Sequence, residues 1–147
     1  MTSEVLKGNQ TVSGAYGTVW LDNEKIAEVK KFESKVTANR VDVQLGLSVD
    51  SKIVGLKGEG SFEVSKVYSR AKTIFEAWKK GNDKRARIVV KIADPDSPGK
   101  QEERVSFDNV WFNEVSLASF TKGEAVGETF PFGFTPDDAE FEGAIKK

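Results

Sequence analysis

The chain has 147 residues, with 22 Lys and Arg against 23 Asp and Glu, and contains no Cys and no His. Those absences exclude disulfides, thiol nucleophiles, Cys/His zinc sites and every His-based triad or general base, so the composition argues against an enzyme. With 38% apolar and 31% charged residues it reads as one ordinary globular domain, and its apolar runs are far too short for a membrane span.

Charge is spread unevenly along the chain. Residues 1–50 carry a net charge of −1, residues 51–100 a net +6 and residues 101–147 a net −6. Opposite charges in two segments complement each other within one fold or between neighbouring copies; solvated faces explain them equally well.

Residues 1–12 are polar and predict a loose N-terminus without the apolar core of a secretory signal. Thr18–Leu21 and Ile26–Val29 flank Asp22-Asn23-Glu24-Lys25, which predicts a β-hairpin. Val29 to Ala38 continues as a strand of imperfect alternation. From Val41 to Asp50 apolar and non-apolar residues alternate without a break, and Gly55 to Val64 repeats the pattern. Val49-Asp50-Ser51-Lys52 reads as the turn between them. Residues 38–57 are therefore expected to form an extended hairpin arm, with Val41, Val43, Leu45, Leu47 and Val49 as its apolar face. A lone hairpin is marginal in water, so the rest of the chain or another copy must cover that face.

After Val64 the period changes. Val67, Ala71, Ile74, Phe75 and Trp78 make one stripe of an amphipathic helix that Gly81 stops. Trp20, Phe62, Ile74, Phe75 and Trp78 are the predicted core. Arg87–Ile92, Arg104–Phe107, Val110–Phe112 with its extension Val115–Phe120, and Thr129–Phe134 predict further strands. Pro131 places the last of these at an edge, and the acidic segment from Pro136 onward reads as a tail. About seven strands and one helix predict a mainly β fold, an antiparallel sandwich or barrel with one helix on it.

Motifs that suggest chemistry each have a plainer reading. Gly58-Glu59-Gly60-Ser61-Phe62 opens like a phosphate-binding loop, but position 63 is Glu and the stretch sits inside a strand. Asp94-Pro95-Asp96-Ser97-Pro98-Gly99 opens like a calcium loop, but Val105 stands where the bidentate Glu belongs. Glu102-Glu103 and Asp137-Asp138 are strand neighbours that point to opposite faces. Lys79, Lys80, Lys84, Arg85 and Arg87 near Trp78 look like a nucleic-acid patch, yet a helix C-terminus followed by a solvated turn explains them. No catalytic, cofactor or metal site is expected.

Three blocks in order carry a family likeness. They are Ser13 to Asp22 with Ile26 to Glu33; Gly58 to Phe62 with Lys66 to Ser69; and Asp94 to Ser97 through Val105 to Pro131-Phe132-Gly133-Phe134. The chain resembles the tail tube proteins of contractile phage tails, in the branch typified by the prophage PBSX. The resemblance implies a β-sandwich or barrel, six-copy rings joined strand to strand, and stacking into a hollow tube. It implies partners as well: further copies of the chain, sheath, baseplate and tape-measure proteins, and DNA passing non-specifically through the lumen, with no membrane. The place implied is a virion tail or tail-like particle assembled in the bacterial host cytoplasm. On this basis Lys57, Glu59, Ser61 and Glu63 are expected to face the lumen. A secretion-system tube shares the architecture. A reading of another class is a monomeric sandwich that binds a ligand through Trp20, Trp111 or Phe130–Phe134.

Overall fold

A computed structural model describes residues 7–146; the expectation for residues 1–6 lies outside them. Its strands are β1 (Gly17–Leu21), β2 (Glu24–Lys25), β3 (Val29–Leu45), β4 (Ser48–Ser65), β5 (Arg85–Ile92), β6 (Glu103–Phe112), β7 (Gly127–Phe134) and β8 (Ala139–Gly143), with one α-helix, α1 (Arg70–Lys79). All strands are antiparallel, in the order β2-β1-β5-β6-β7-β4-β3, with β8 added to β6. The sheet curls over itself. Phe32 of β3, at one end of the order, comes within 6.2 Å of Phe107 on β6, in the middle of it. This is the mainly β sandwich with one helix that the alternation implied.

The local chemistry explains most boundaries. Asp22 and Asn23 both take left-handed φ values of 50° and 68°, as a two-residue hairpin turn demands. Gly81, at φ 80°, ends the chain's turn out of α1 at no steric cost. Ser69 stands at the N-cap without a side-chain bond. Val67 lies outside the helix and is exposed.

Four predicted elements differ. Asp108-Asn109 does not separate two strands: Asn109 takes a left-handed φ of 54° and the ladder to β5 shifts register nearby, so β6 runs through as one bulged strand. Val115–Phe120 alternates but has no ladder partner and forms no strand. Part of the acidic tail is β8, paired to β6. β7 is not an edge strand. It lies between β4 and β6, and its Pro131 is tolerated because that residue's carbonyl bonds Asn113 on the sparsely paired β6 side, leaving the β4 ladder whole.

The core is aromatic. Phe62, Phe130, Phe132 and Phe134 are fully buried with Ile26, Ile88 and Val110. Phe62 stacks on Phe130 at 5.1 Å, and Phe107 meets Phe134 edge-on at 4.8 Å. Gly58 and Gly60 give these rings room, since a Cβ at Gly58 would stand 2.5 Å from the Phe134 ring. Ile74 of α1 belongs to the buried cluster, and Trp78 packs against it half-buried. Trp20 and Phe75, expected in the core, are half-buried at its outside. Arg104 covers the Trp20 ring and Lys79 the Phe75 ring. Glu28 accepts from Arg70 Nε at 2.7 Å, a largely buried pair that pins the start of α1 to the base of β3.

Asp94 is buried, and its carboxylate accepts the backbone N–H of Ser13 and of Asp96, both at 2.9 Å. Gln101, on the same loop, exchanges two hydrogen bonds with the backbone of Lys146. Asp94 and Gln101 of this loop thus fasten both outer segments of the chain. Asp94→Ala leaves two donors without acceptors and is expected to cost about 2 kcal/mol, read from the urea unfolding midpoint.

Candidate assembly interface

β4 leaves its second neighbour at Gly58, the last residue paired with β7. Beyond that point residues 37–57 have, among the described residues, only each other as ladder partners. At about 3.3 Å per residue the hairpin projects roughly 25 Å from the body. Its turn is not at Val49–Lys52. Leu45 pairs with Ser48, so Gly46 and Leu47 form the apex, with Gly46 at φ 64°. Leu47 is fully exposed, at 105% of the reference area.

The shifted turn changes the faces. Paired residues share a face of an antiparallel ladder, and Val43 pairs with Asp50 while Gln44 pairs with Val49. Val41, Val43 and Leu45 therefore share one face, and Val49 lies on the other. Leu47 belongs to neither. β4 keeps its apolar residues on a single side from Phe62 through Leu56 to Ile53 and Val49, because a bulge at Val54 absorbs the change of parity. β3 does the opposite. Phe32, Val36 and Ala38 lie on the core side, whereas Val41, Val43 and Leu45 lie on the reverse. The outer arm consequently has apolar residues on both faces. Leu45 (57%), Val49 (60%) and Ile53 (48%) are exposed within the chain.

Lys57, Glu59, Ser61 and Glu63 fall together on the face of β4 that points away from Phe62. Their partners on β3 are Thr37, Lys35, Glu33 and Lys31. The sequence reading missed these, although Lys31, Glu33 and Lys35 sit at alternate positions and could have signalled them. Lys35 pairs with Glu59 at 3.5 Å, Lys31 with Glu33 at 3.8 Å, and Ser61 Oγ bonds Glu33 at 3.3 Å. Three cations and three anions share this surface, so it carries no net charge.

The other candidates dissolve into structure. Gly58 to Phe62 is strand interior. No cluster of carboxylates able to hold a metal occurs among the described residues, and Asp94 is spent on backbone donors. Arg85 pairs with Asp83 and covers the Trp111 ring; Arg87 pairs with Asp108 and Glu142; Lys91 pairs with Glu102. Phe130, Phe132 and Phe134 are buried and the faces of Trp20 and Trp111 are covered by arginines, so the aromatic ligand platform does not form. Among the described residues no helix is long and apolar enough to cross a membrane.

A curled antiparallel sheet with one covering helix, a long edge unpaired among the described residues and a projecting hairpin make up the fold, and solved structures share it. A chain from the sheath–tube complex of an extracellular contractile injection system, in its extended state, superposes with a TM-score of 0.71 at 6% identity, covering 91% of this chain and 93% of that one. The terminating cap of the anti-feeding prophage gives 0.68 at 10% identity, covering 98% and 99%. The chain belongs to the family described as phage tail tube protein, which matches residues 4–141. It is 32% identical over 137 residues to the phage-like element PBSX protein XkdM of Bacillus subtilis (strain 168), covering 90% of this chain and 92% of the relative. The family is structural, and the chain is not an enzyme.

Proposed function

We propose that this chain is the repeating subunit of the inner tube of a contractile phage tail or tail-like particle, that six copies form a ring, and that rings stack into a hollow tube through which DNA or an effector passes. One observation carries the reading. β3 is 17 residues long, its outer edge has no ladder partner among the described residues, and it ends in an arm whose apolar side chains none of those residues covers. An unpaired edge of that length is a template for another strand. A head-to-tail contact that closes gives a ring, and repetition along the axis gives a filament. Sheath, baseplate and tape-measure proteins are the partners such a tube requires, and assembly takes place in the host cytoplasm before the particle is complete.

The test is negative-stain electron microscopy of concentrated protein, with light scattering on the same sample. Rings or hollow tubes are expected. A protein that stays monomeric even when seeded with preformed baseplates overturns the reading.

On this model the charge-balanced surface of Lys57, Glu59, Ser61 and Glu63 lines the lumen. A lining without net charge offers phosphate no counterion release and lets DNA slide. Glu59→Lys with Glu63→Lys makes it strongly basic. Tubes of that variant are expected to retain duplex DNA on sedimentation at low salt and to release it as salt rises, whereas wild-type tubes retain none. Equal retention by both overturns the lumen assignment.

A further inference from the structure

We propose that the cavity beneath α1 is a binding site for a small neutral phenol, a single aromatic ring bearing one hydroxyl. The site is independent of the tube reading. It lies on the core side of β4, away from Lys57, Glu59, Ser61 and Glu63, and no residue of the projecting arm lines it.

The cavity measures about 180 Å³ and separates the first turns of α1 from the sheet. Phe62, Phe112 and Phe130, from three different strands, line its inner end, and none is more than 6% exposed. Phe62 stacks on Phe130 at 5.1 Å, and Phe112 stands edge-on to these two at 6.5 and 6.4 Å. Ala86 of β5 lines the same space with a single methyl group. An apolar cavity of roughly 150 Å³ stays dry and takes up benzene, so this one has the size for one aromatic ring. Three phenyl groups favour such a ring over an aliphatic group of equal volume, because edge-on and offset pairs gain energy beyond the area they bury.

The mouth selects the polar group. Asp22, Glu24, Arg70 and Lys84 line it. Two of these are spent, Arg70 on Glu28 and Asp22 on the backbone N–H of Arg87. Glu24 and Lys84 make no salt bridge among the described residues. A hydroxyl can donate to the one or accept from the other. A carboxylate or an ammonium group meets a like charge there, which selects a neutral ligand.

α1 is the element such a ligand holds. Its buried residues are Ala71 and Ile74, and its N-cap serine makes no side-chain bond, so the helix is lightly fastened. A ring seated between Ile74 and the three phenyl groups fills the space that α1 leaves open and touches both walls.

The test applies phenol to the full chain and follows hydrogen exchange by mass spectrometry, with 4-azidophenol as a photolabel on parallel samples. Exchange through residues 70–79 is expected to slow about tenfold at a free phenol concentration ten times its dissociation constant. The photolabel is expected on the segments that line the cavity, and an excess of phenol is expected to displace it. Ala86→Leu fills the cavity and is expected to abolish both effects without lowering the unfolding midpoint. Unchanged exchange in α1, label confined to other segments, label that phenol does not displace, or equal labelling of a folded Ala86→Leu overturns the site. Should Ala86→Leu fail to fold, the label on the wild-type protein decides alone: displaceable label on the cavity segments upholds the site, and any other pattern overturns it. Micrographs of wild-type protein decide the tube reading separately, so either can fail without the other.

Discussion

A protein carrying Leu45→Asp together with Leu47→Asp is expected to fold as the wild-type protomer does and to form none of the rings or tubes proposed for it. Both side chains are outside the core: Leu45 is 57% exposed and Leu47 completely so. Substitutions at such positions usually move stability by less than about 0.5 kcal/mol each, so the urea midpoint of the isolated protomer should hold within about 1 kcal/mol. Assembly is a different matter. Each arm then brings two carboxylates to a surface meant to be dry, and an unpaired charge buried there costs several kcal/mol. That penalty falls on every copy of a ring, so polymer should vanish rather than weaken. Unfolding curves and electron micrographs of the same preparation check it. Global unfolding of the variant would mean that the arm belongs to the protomer's own core.

The largest loss of protomer stability is expected from Phe132→Ala. Phe132 is completely buried, and its ring lies 5.7 Å from Phe32, 6.2 Å from Phe62, 6.4 Å from Phe107 and 6.3 Å from Phe134. It joins β7 to β3, β4 and β6 at one point. Those rings are held by separate strands, so the space left by truncation cannot collapse cheaply. The expected cost is about 3–5 kcal/mol, a large share of the roughly 5–15 kcal/mol that holds a domain of this size together. Denaturant titration reads it as a fall in midpoint at nearly unchanged slope. A loss below about 1 kcal/mol would contradict a rigid aromatic centre.

Much of the fold was legible because alternation is a local signal and these strands obey it. The aromatic run at 130, 132 and 134 alternates, and the three rings point inward. The helix stripe gave α1 from Ala71 to Trp78. What stayed hidden depends on residues far apart in sequence. The turn was placed four residues too late because the pattern Leu45, Leu47, Val49 runs unbroken across the apex; only the pairing of Leu45 with Ser48 and the left-handed Gly46 show where the chain reverses. The bulge at Val54 has no signature of its own, so the two arm faces could not be sorted from composition. Val115–Phe120 has the pattern of a strand and no partner to pair with in one chain. Phe75 was expected in the core from its place on the helix stripe, and Trp20 with it, although arginine and lysine stems cover half-buried rings as readily as a core does. The lining candidates were found as one strand of a two-strand surface, because nothing in the sequence says that Lys35 stands opposite Glu59.

The change of side within β3 has a consequence for how such an arm diverges between lineages. Residues 41, 43 and 45 lie on one face of the arm and residues 49 and 53 on the other, so drift in either set leaves the opposite face unchanged.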